Sequence, residues 1–129
     1  MIVGAGTSGS VILKEMMTSR HTNGTVVCFV DDDLNKKGKY LNGVPIAGSR
    51  EDIPSLAREY RVDEIYVALP SAPAKERKKI IEICRETDCR IKVLPGIYQL
   101  LNGEVSVAKL REVQIEDLLG RDPMPGKSG

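Results

Sequence analysis

Gly4-Ala5-Gly6-Thr7-Ser8-Gly9 stands directly after the apolar triplet Met1, Ile2 and Val3, and directly before Val11, Ile12 and Met16, which recur at helical spacing. That placement limits the chain more than any other feature. Between a strand and a helix, the first glycine permits a tight bend and the second lets backbone approach a pyrophosphate. The third lets helix pack closely on strand. Amides at such a helix start face an anion, and Thr7 and Ser8 add hydroxyls beside it.

Asp31 follows Gly9 by about twenty residues, the separation at which a carboxylate hydrogen-bonds the ribose of an adenosine. Asp32 and Asp33 come next, and an acidic run there repels a ribose 2′-phosphate, which favours NAD over NADP. The predicted cofactor-binding residues are therefore Gly4, Gly6, Thr7, Ser8, Gly9, Asp31 and Asp32. Pro70 and Ser71 join them from a later loop between a strand and a helix, where Ser71 also suits an N-cap. Two plainer readings stand beside these. The glycines serve close packing alone, and Asp32 and Asp33 are solvated turn residues or a helix cap.

The remaining chain repeats the same alternation. A first helix ends near residues 19–21, and residues 25–30 form an apolar, β-branched strand that stops at the acidic run. Residues 34–41, rich in Lys, Asn and Gly, read as a solvated loop, followed by a short strand over 43–47 that carries Pro45. Ser49 with Asp52 three residues on resembles a capping box, opening a helix to Tyr60. A strand over 64–69, a helix over 74–87 and a strand over 90–94 complete the pattern. Strands alternating with helices imply an α/β fold, a Rossmann-like three-layer sandwich with a mostly parallel sheet. Beyond Pro95 the periodicity weakens, and residues 121–129 are Pro, Gly and polar. Residues 1–120 are thus one nucleotide-binding domain, with 121–129 a linker or tail.

Composition narrows the function classes. With 129 residues the chain builds one core, and its net charge of +1 sets up no field for nucleic acid or an anionic membrane. Four Tyr, one Phe and no Trp leave little with which to stack bases. No apolar run approaches the ~20 residues of a membrane span. Cys28, Cys84 and Cys89 lack CxxC spacing and read as small hydrophobes in a reducing, cytoplasmic compartment.

Catalytic signatures are missing. A Tyr-x-x-x-Lys pair, in which the lysine lowers the phenol pKa for proton exchange, does not occur: Val44, Glu64, Pro70 and Asn102 stand where the lysine would follow Tyr40, Tyr60, Tyr66 and Tyr98. No Ser/His/Asp set or metal-ligand spacing is present, and His21, the only histidine, reads as a helix-end charge partner. Leu94-Pro95-Gly96 follows the last clear strand, where Gly96 either approaches a ligand or forms a plain turn.

Val3-Gly4-Ala5-Gly6, Phe29-Val30-Asp31-Asp32-Asp33, Gly43-Val44-Pro45-Ile46, Ala68-Leu69-Pro70-Ser71-Ala72, Leu94-Pro95-Gly96 and the tail Leu110-Arg111-Glu112-Val113 with Ile115-Glu116-Asp117-Leu118-Leu119-Gly120-Arg121 resemble the N-terminal Rossmann-like domain of CapD-type polysaccharide biosynthesis proteins. The resemblance implies a parent protein anchored at the cytoplasmic membrane that acts as a nucleoside-diphosphate-sugar 4,6-dehydratase or epimerase. In it a downstream short-chain-dehydrogenase domain holds NAD and the catalytic tyrosine. It further implies that this module is non-catalytic and that its own ligand is NAD, a nucleotide sugar or another nucleotide. Two rivals remain: an active NAD-dependent nucleotide-sugar oxidoreductase or dehydratase, and a regulatory or structural docking module with an empty site, whose stretch over 98–119 drives docking or self-association.

Overall fold

The computed structural model describes residues 1–18, 25–94 and 111–112. Among the described residues, seven strands form one sheet in the order β3-β4-β2-β1-β5-β6-β7. In chain order they are β1 (Ile2–Val3), β2 (Phe29–Val30), β3 (Tyr40–Leu41), β4 (Val44–Gly48), β5 (Glu64–Val67), β6 (Arg90–Val93) and β7 (Arg111–Glu112). The helices are α1 (Thr7–Thr18), α2 (Ile53–Glu59) and α3 (Ala74–Cys84). The five inner strands run parallel, while β3 on β4 and β7 on β6 are antiparallel edges. This is the expected Rossmann-like α/β sandwich.

Successive strand residues point to opposite faces, and the sequence is apolar at both. Val3, Val30, Ile65, Val67 and Ile91 pack with Ile53 and Leu56 of α2 and with Ile80 and Cys84 of α3. Ile2, Phe29, Ile46, Tyr66, Ala68 and Leu94 pack with Ile12 and Leu13 of α1. Gly9, Ile12, Leu13 and the half-buried Met16 line one side of α1 at the i, i+3, i+4, i+7 spacing of an amphipathic helix.

Several boundaries differ from the sequence expectation, each for a local reason. α1 starts at Thr7, because the Gly6 carbonyl accepts the Ser10 N–H at 2.9 Å and places Gly9 inside the first turn. β2 is only Phe29–Val30, in register with Ile2 and Val3 of β1, and the Cys28 carbonyl before it still accepts the Ile2 N–H at 3.1 Å. Residues 40–41, read as loop, form β3. Asn42 (φ 51) and Gly43 (φ 85) turn the chain so that Leu41 pairs with Val44, the two-residue hairpin that Asn-Gly favours. The Ser49 helix opens as a 3-10 turn (Arg50–Asp52), with Asp52 Oδ2 accepting the Ser49 N–H at 3.0 Å, and then runs as α2. α3 stops at Cys84, whose carbonyl accepts from both Thr87 N–H and Thr87 Oγ1.

Cys28 and Cys84 are buried and Cys89 is half-buried, as small hydrophobes would be. Burial pushes the Cys84 thiol up to about 12, which keeps it an unreactive thiol. His21, Gly96, the 98–119 stretch apart from β7, and the 121–129 tail lie outside the described residues. Within the described residues no helix is long and apolar enough to cross a membrane.

Candidate nucleotide site at the carboxyl edge of the sheet

The chain leaves β1 toward β2 on one side and later returns to β5 on the other. The crevice beyond the carboxyl ends of β1 and β5 is therefore the switch point, the place where open α/β sheets hold ligands. Gly4 closes β1 by donating its N–H to the Val30 carbonyl at 2.7 Å, in a left-handed conformation (φ 110). A Cβ there would lie 2.6 Å from the Ala68 carbonyl oxygen and 2.9 Å from Leu69 Cδ2. At Gly9 a Cβ would press on the Gly4 carbonyl at well under 3.0 Å. Both glycines are thus demanded by the fold. Gly6 is different: it is exposed, and a Cβ would meet nothing within 4 Å.

Since the first intrahelical bond of α1 is Ser10 N–H to the Gly6 carbonyl, the amides of Thr7, Ser8 and Gly9 precede the helical ladder. Amides so placed at a helix start are the groups that can face an anion. Thr7 is exposed and Ser8 half-buried beside them.

Asp31 is held tightly. Its N–H donates to the Gly48 carbonyl at 2.9 Å, Oδ2 accepts the Ala5 N–H at 2.8 Å, and Oδ1 accepts the Asp33 N–H at 2.9 Å. Lys36 Nζ lies 3.6 Å from Oδ2. The carboxylate therefore ties the glycine turn to the loop after β2. Each carboxylate oxygen has two lone pairs, so acceptor capacity remains for a hydroxyl.

Asp32 takes part in an ion network that the sequence reading did not include. Its Oδ1 accepts the Arg50 N–H at 3.0 Å, and its Oδ2 lies 2.8 Å from Arg50 Nε and 2.7 Å from Nη2. Arg50 Nη1 reaches Glu76 Oε1 at 3.1 Å. Partial burial works against ionised Asp32, but the Arg50 side-chain and backbone hydrogen bonds outweigh it and hold the carboxyl below its ordinary range. The hydrogen bond from Arg50, with Lys79 nearby, also lowers Glu76. Asp33 stays an exposed turn residue whose Oδ1 accepts the Asn35 N–H at 3.0 Å. Arg50 follows β4 at the same sheet edge as Asp31 follows β2. Position after a strand was the one sequence signal that could have drawn it into the site.

Pro70 and Ser71 lie in the turn between β5 and α3, where the Leu69 carbonyl accepts the Ala72 N–H at 3.1 Å. Ser71 is exposed and does not cap α3: the N-cap is Pro73 (φ −58, ψ 146), without a side-chain bond. The expected cap fails because Ser71 sits in the preceding turn, two positions early. Arg77 Nη1 donates to the Ala72 carbonyl and fixes the turn.

One Tyr–Lys encounter exists in space although the sequence lacks the motif. Lys92 Nζ stands 5.7 Å from the Tyr66 ring centroid, and both side chains engage Glu64, Tyr66 Oη at 2.8 Å and Lys92 at 3.6 Å. Burial, together with the hydrogen bond to the Glu64 carboxylate, pushes Tyr66 up to about 12. That is the opposite of what a proton-exchanging phenol requires. The unfolded value is about 10. Stability from Tyr66 is therefore complete below about pH 10 and lost as pH rises through about 12. Unfolding curves across that window should be flatter for Tyr66→Phe than for the unmodified chain; equal slopes would refute this.

Residues 1–95 match the CoA-binding domain family. Over 125 residues the chain is 39% identical to the capsular polysaccharide biosynthesis protein CapD of Staphylococcus aureus. Over 124 residues it is 30% identical to the probable polysaccharide biosynthesis protein EpsC of Bacillus subtilis (strain 168). Each match takes in 96% of this chain but 21% of the relative, so the chain spans about a fifth of their length. UDP-D-quinovosamine 4-dehydrogenase from Vibrio fischeri has a solved structure that superposes with a TM-score of 0.79 at 28% identity, covering 92% of this chain and 95% of that one. Glycine turn, sheet order and sequence agree, and the chain belongs to the CoA-binding domain family, in the Rossmann-like form carried by CapD-type polysaccharide biosynthesis proteins.

Proposed function

We propose that the chain is a non-catalytic, cytoplasmic nucleotide-binding domain of a larger protein that converts nucleoside-diphosphate sugars for surface polysaccharide. Its ligand is a nucleoside diphosphate compound, the chemistry shared by NAD, a UDP-sugar and coenzyme A. The supporting observation is Gly6. Packing demands Gly4 and Gly9 and makes no demand at Gly6, the glycine that lies open beside the α1 amides. A phosphate approaching those amides needs that opening.

Asp31 gives a second reading its support. Because both its oxygens already accept main-chain N–H groups, the turn is complete as a structural device. In that reading the domain is a docking module. Asp31→Ala cannot separate the two, since it strands the part-buried Ala5 amide, a cost of about 1–3 kcal/mol, and frees the exposed Asp33 amide to water.

Gly6→Val separates them. A thermal-shift panel of NAD, NADH, NADP, UDP-N-acetylglucosamine, UDP and coenzyme A should raise the midpoint of the intact chain by several degrees with one ligand class. A ligand at about 100 times its Kd adds about 2.7 kcal/mol. Gly6→Val should keep the unliganded midpoint and lose that shift. Absence of any shift at millimolar ligand would remove the nucleotide-binding reading.

A further inference from the structure

The charges of α3 run against its own dipole. Its first half holds Lys75, Arg77, Lys78 and Lys79 against the single acid Glu76, while its last turn has no basic residue. A helix start is the positive end of the macrodipole, where anions stabilise and cations oppose it. Lys75 also stands three and four residues before Lys78 and Lys79, the spacings at which like charges repel on one helix face. All three lysines are exposed. Arg77 is spent on the Ala72 carbonyl, and Lys79 lies 3.6 Å from Glu76. Among the described residues, the Lys75 and Lys78 ammonium groups have neither a hydrogen bond nor an ion pair.

These charges stand beside the crevice. Leu69, which opens the turn between β5 and α3, lies against the glycine turn: a Cβ at Gly4 would be 2.9 Å from its Cδ2. The start of α3 therefore flanks the crevice on the β5 side. On the β2 side stand the carboxylates, Asp31 with Lys36, Asp32 with Arg50, and Asp33 exposed. The glycine turn thus has cations on one side and acids on the other. Helix capping, packing and ion pairing within the chain leave Lys75 and Lys78 unexplained, and they oppose the stability of the helix that carries them. We infer that the lysine cluster at the start of α3, through Lys75 and Lys78, steers the anionic diphosphate of the ligand into the crevice. This rests on the nucleotide-binding reading and adds the route of entry to it. Steering acts on the association rate and fades as salt shortens the screening length, from about 30 Å at 0.01 M to about 3 Å at 1 M.

Stopped-flow binding to the full chain tests this, with three fluorescent probes: the ethenoadenine analogues of NAD and coenzyme A, and N-methylanthraniloyl-UDP. Lys75→Gln with Lys78→Gln should lower the association rate constant of a bound probe about threefold to tenfold at about 0.02 M salt. It should leave dissociation within about twofold, and the difference should vanish at about 0.5 M. Arg85→Glu changes the net charge equally at the other end of α3, and should alter association by less than about twofold. Without ligand, the glutamine pair should unfold at no lower temperature than the unmodified chain, because it relieves repulsion at the helix start. A lower midpoint would give the lysines a structural role and overturn the inference. An unchanged association rate, a loss confined to dissociation, or an equal loss in Arg85→Glu would overturn it too, and in each case a probe that still binds leaves the nucleotide reading standing. Failure of all three probes to bind at millimolar concentration would remove that reading and the steering with it.

Discussion

Gly9→Ala is expected to lower the stability of the domain by about 3 kcal/mol or more, a fall in thermal midpoint on the order of 10 °C. The added methyl would lie on the Gly4 carbonyl, with Gly4 C at 3.1 Å and Phe29 Cε1 at 3.3 Å behind it. Relief requires α1 to lift off the sheet, separating Ile12 and Leu13, 0% and 1% exposed, from the core they complete. Gly6→Ala adds the same methyl three positions earlier, into open space, and should stay within about 1 kcal/mol of the unmodified chain. Thermal unfolding of the two variants side by side checks this. Similar midpoints would mean that the helix start is not packed as described.

Phe29→Ala is expected to cost about 3–5 kcal/mol. Phe29, the single phenylalanine, is fully buried on an inner strand of the sheet, in register with Ile2 of β1 on one side and Ile46 of β4 on the other. Its ring fills the space between β2 and α1 among Ile2, Ile12, Leu13 and Leu94. Truncation leaves a cavity that rigid neighbouring strands close poorly. Although the ring touches the place where a Gly9 side chain would be, Phe29→Ala should not rescue Gly9→Ala, because the primary clash is with backbone. Chemical denaturation of both single variants and the double variant measures this coupling. A double variant as stable as Phe29→Ala alone would contradict it.

The contrast between Gly4, Gly6 and Gly9 also shows where sequence reading carries and where it stops. Spacing identified all three as one turn, and the turn exists, because a left-handed bend and a close helix approach leave few alternatives to glycine. Spacing could not say which glycine serves packing and which leaves room. That distinction depends on Ala68, Leu69 and Phe29, residues far away in the chain. β3 has a hairpin signal in Asn42-Gly43, which the polar, lysine-rich composition around it disguises as loop. The Asp32–Arg50–Glu76 network was not legible, since it joins three elements that only the sheet order brings together. Asp31 was placed correctly at the end of β2, while its bonds to the Ala5 and Asp33 amides emerged only with the loop geometry.

Binding of a nucleoside diphosphate at the glycine turn is the central claim, and an amide-resolved NMR titration of the full chain with NAD and with UDP-N-acetylglucosamine tests it most directly. The predicted result is a saturable displacement of the Gly6, Thr7 and Ser8 amides, with Asp33 following through Asp31, by at least one of the two. Spectra in which those amides stay fixed up to millimolar ligand, or in which the only saturable changes fall away from the carboxyl edge of β1 and β5, would contradict it.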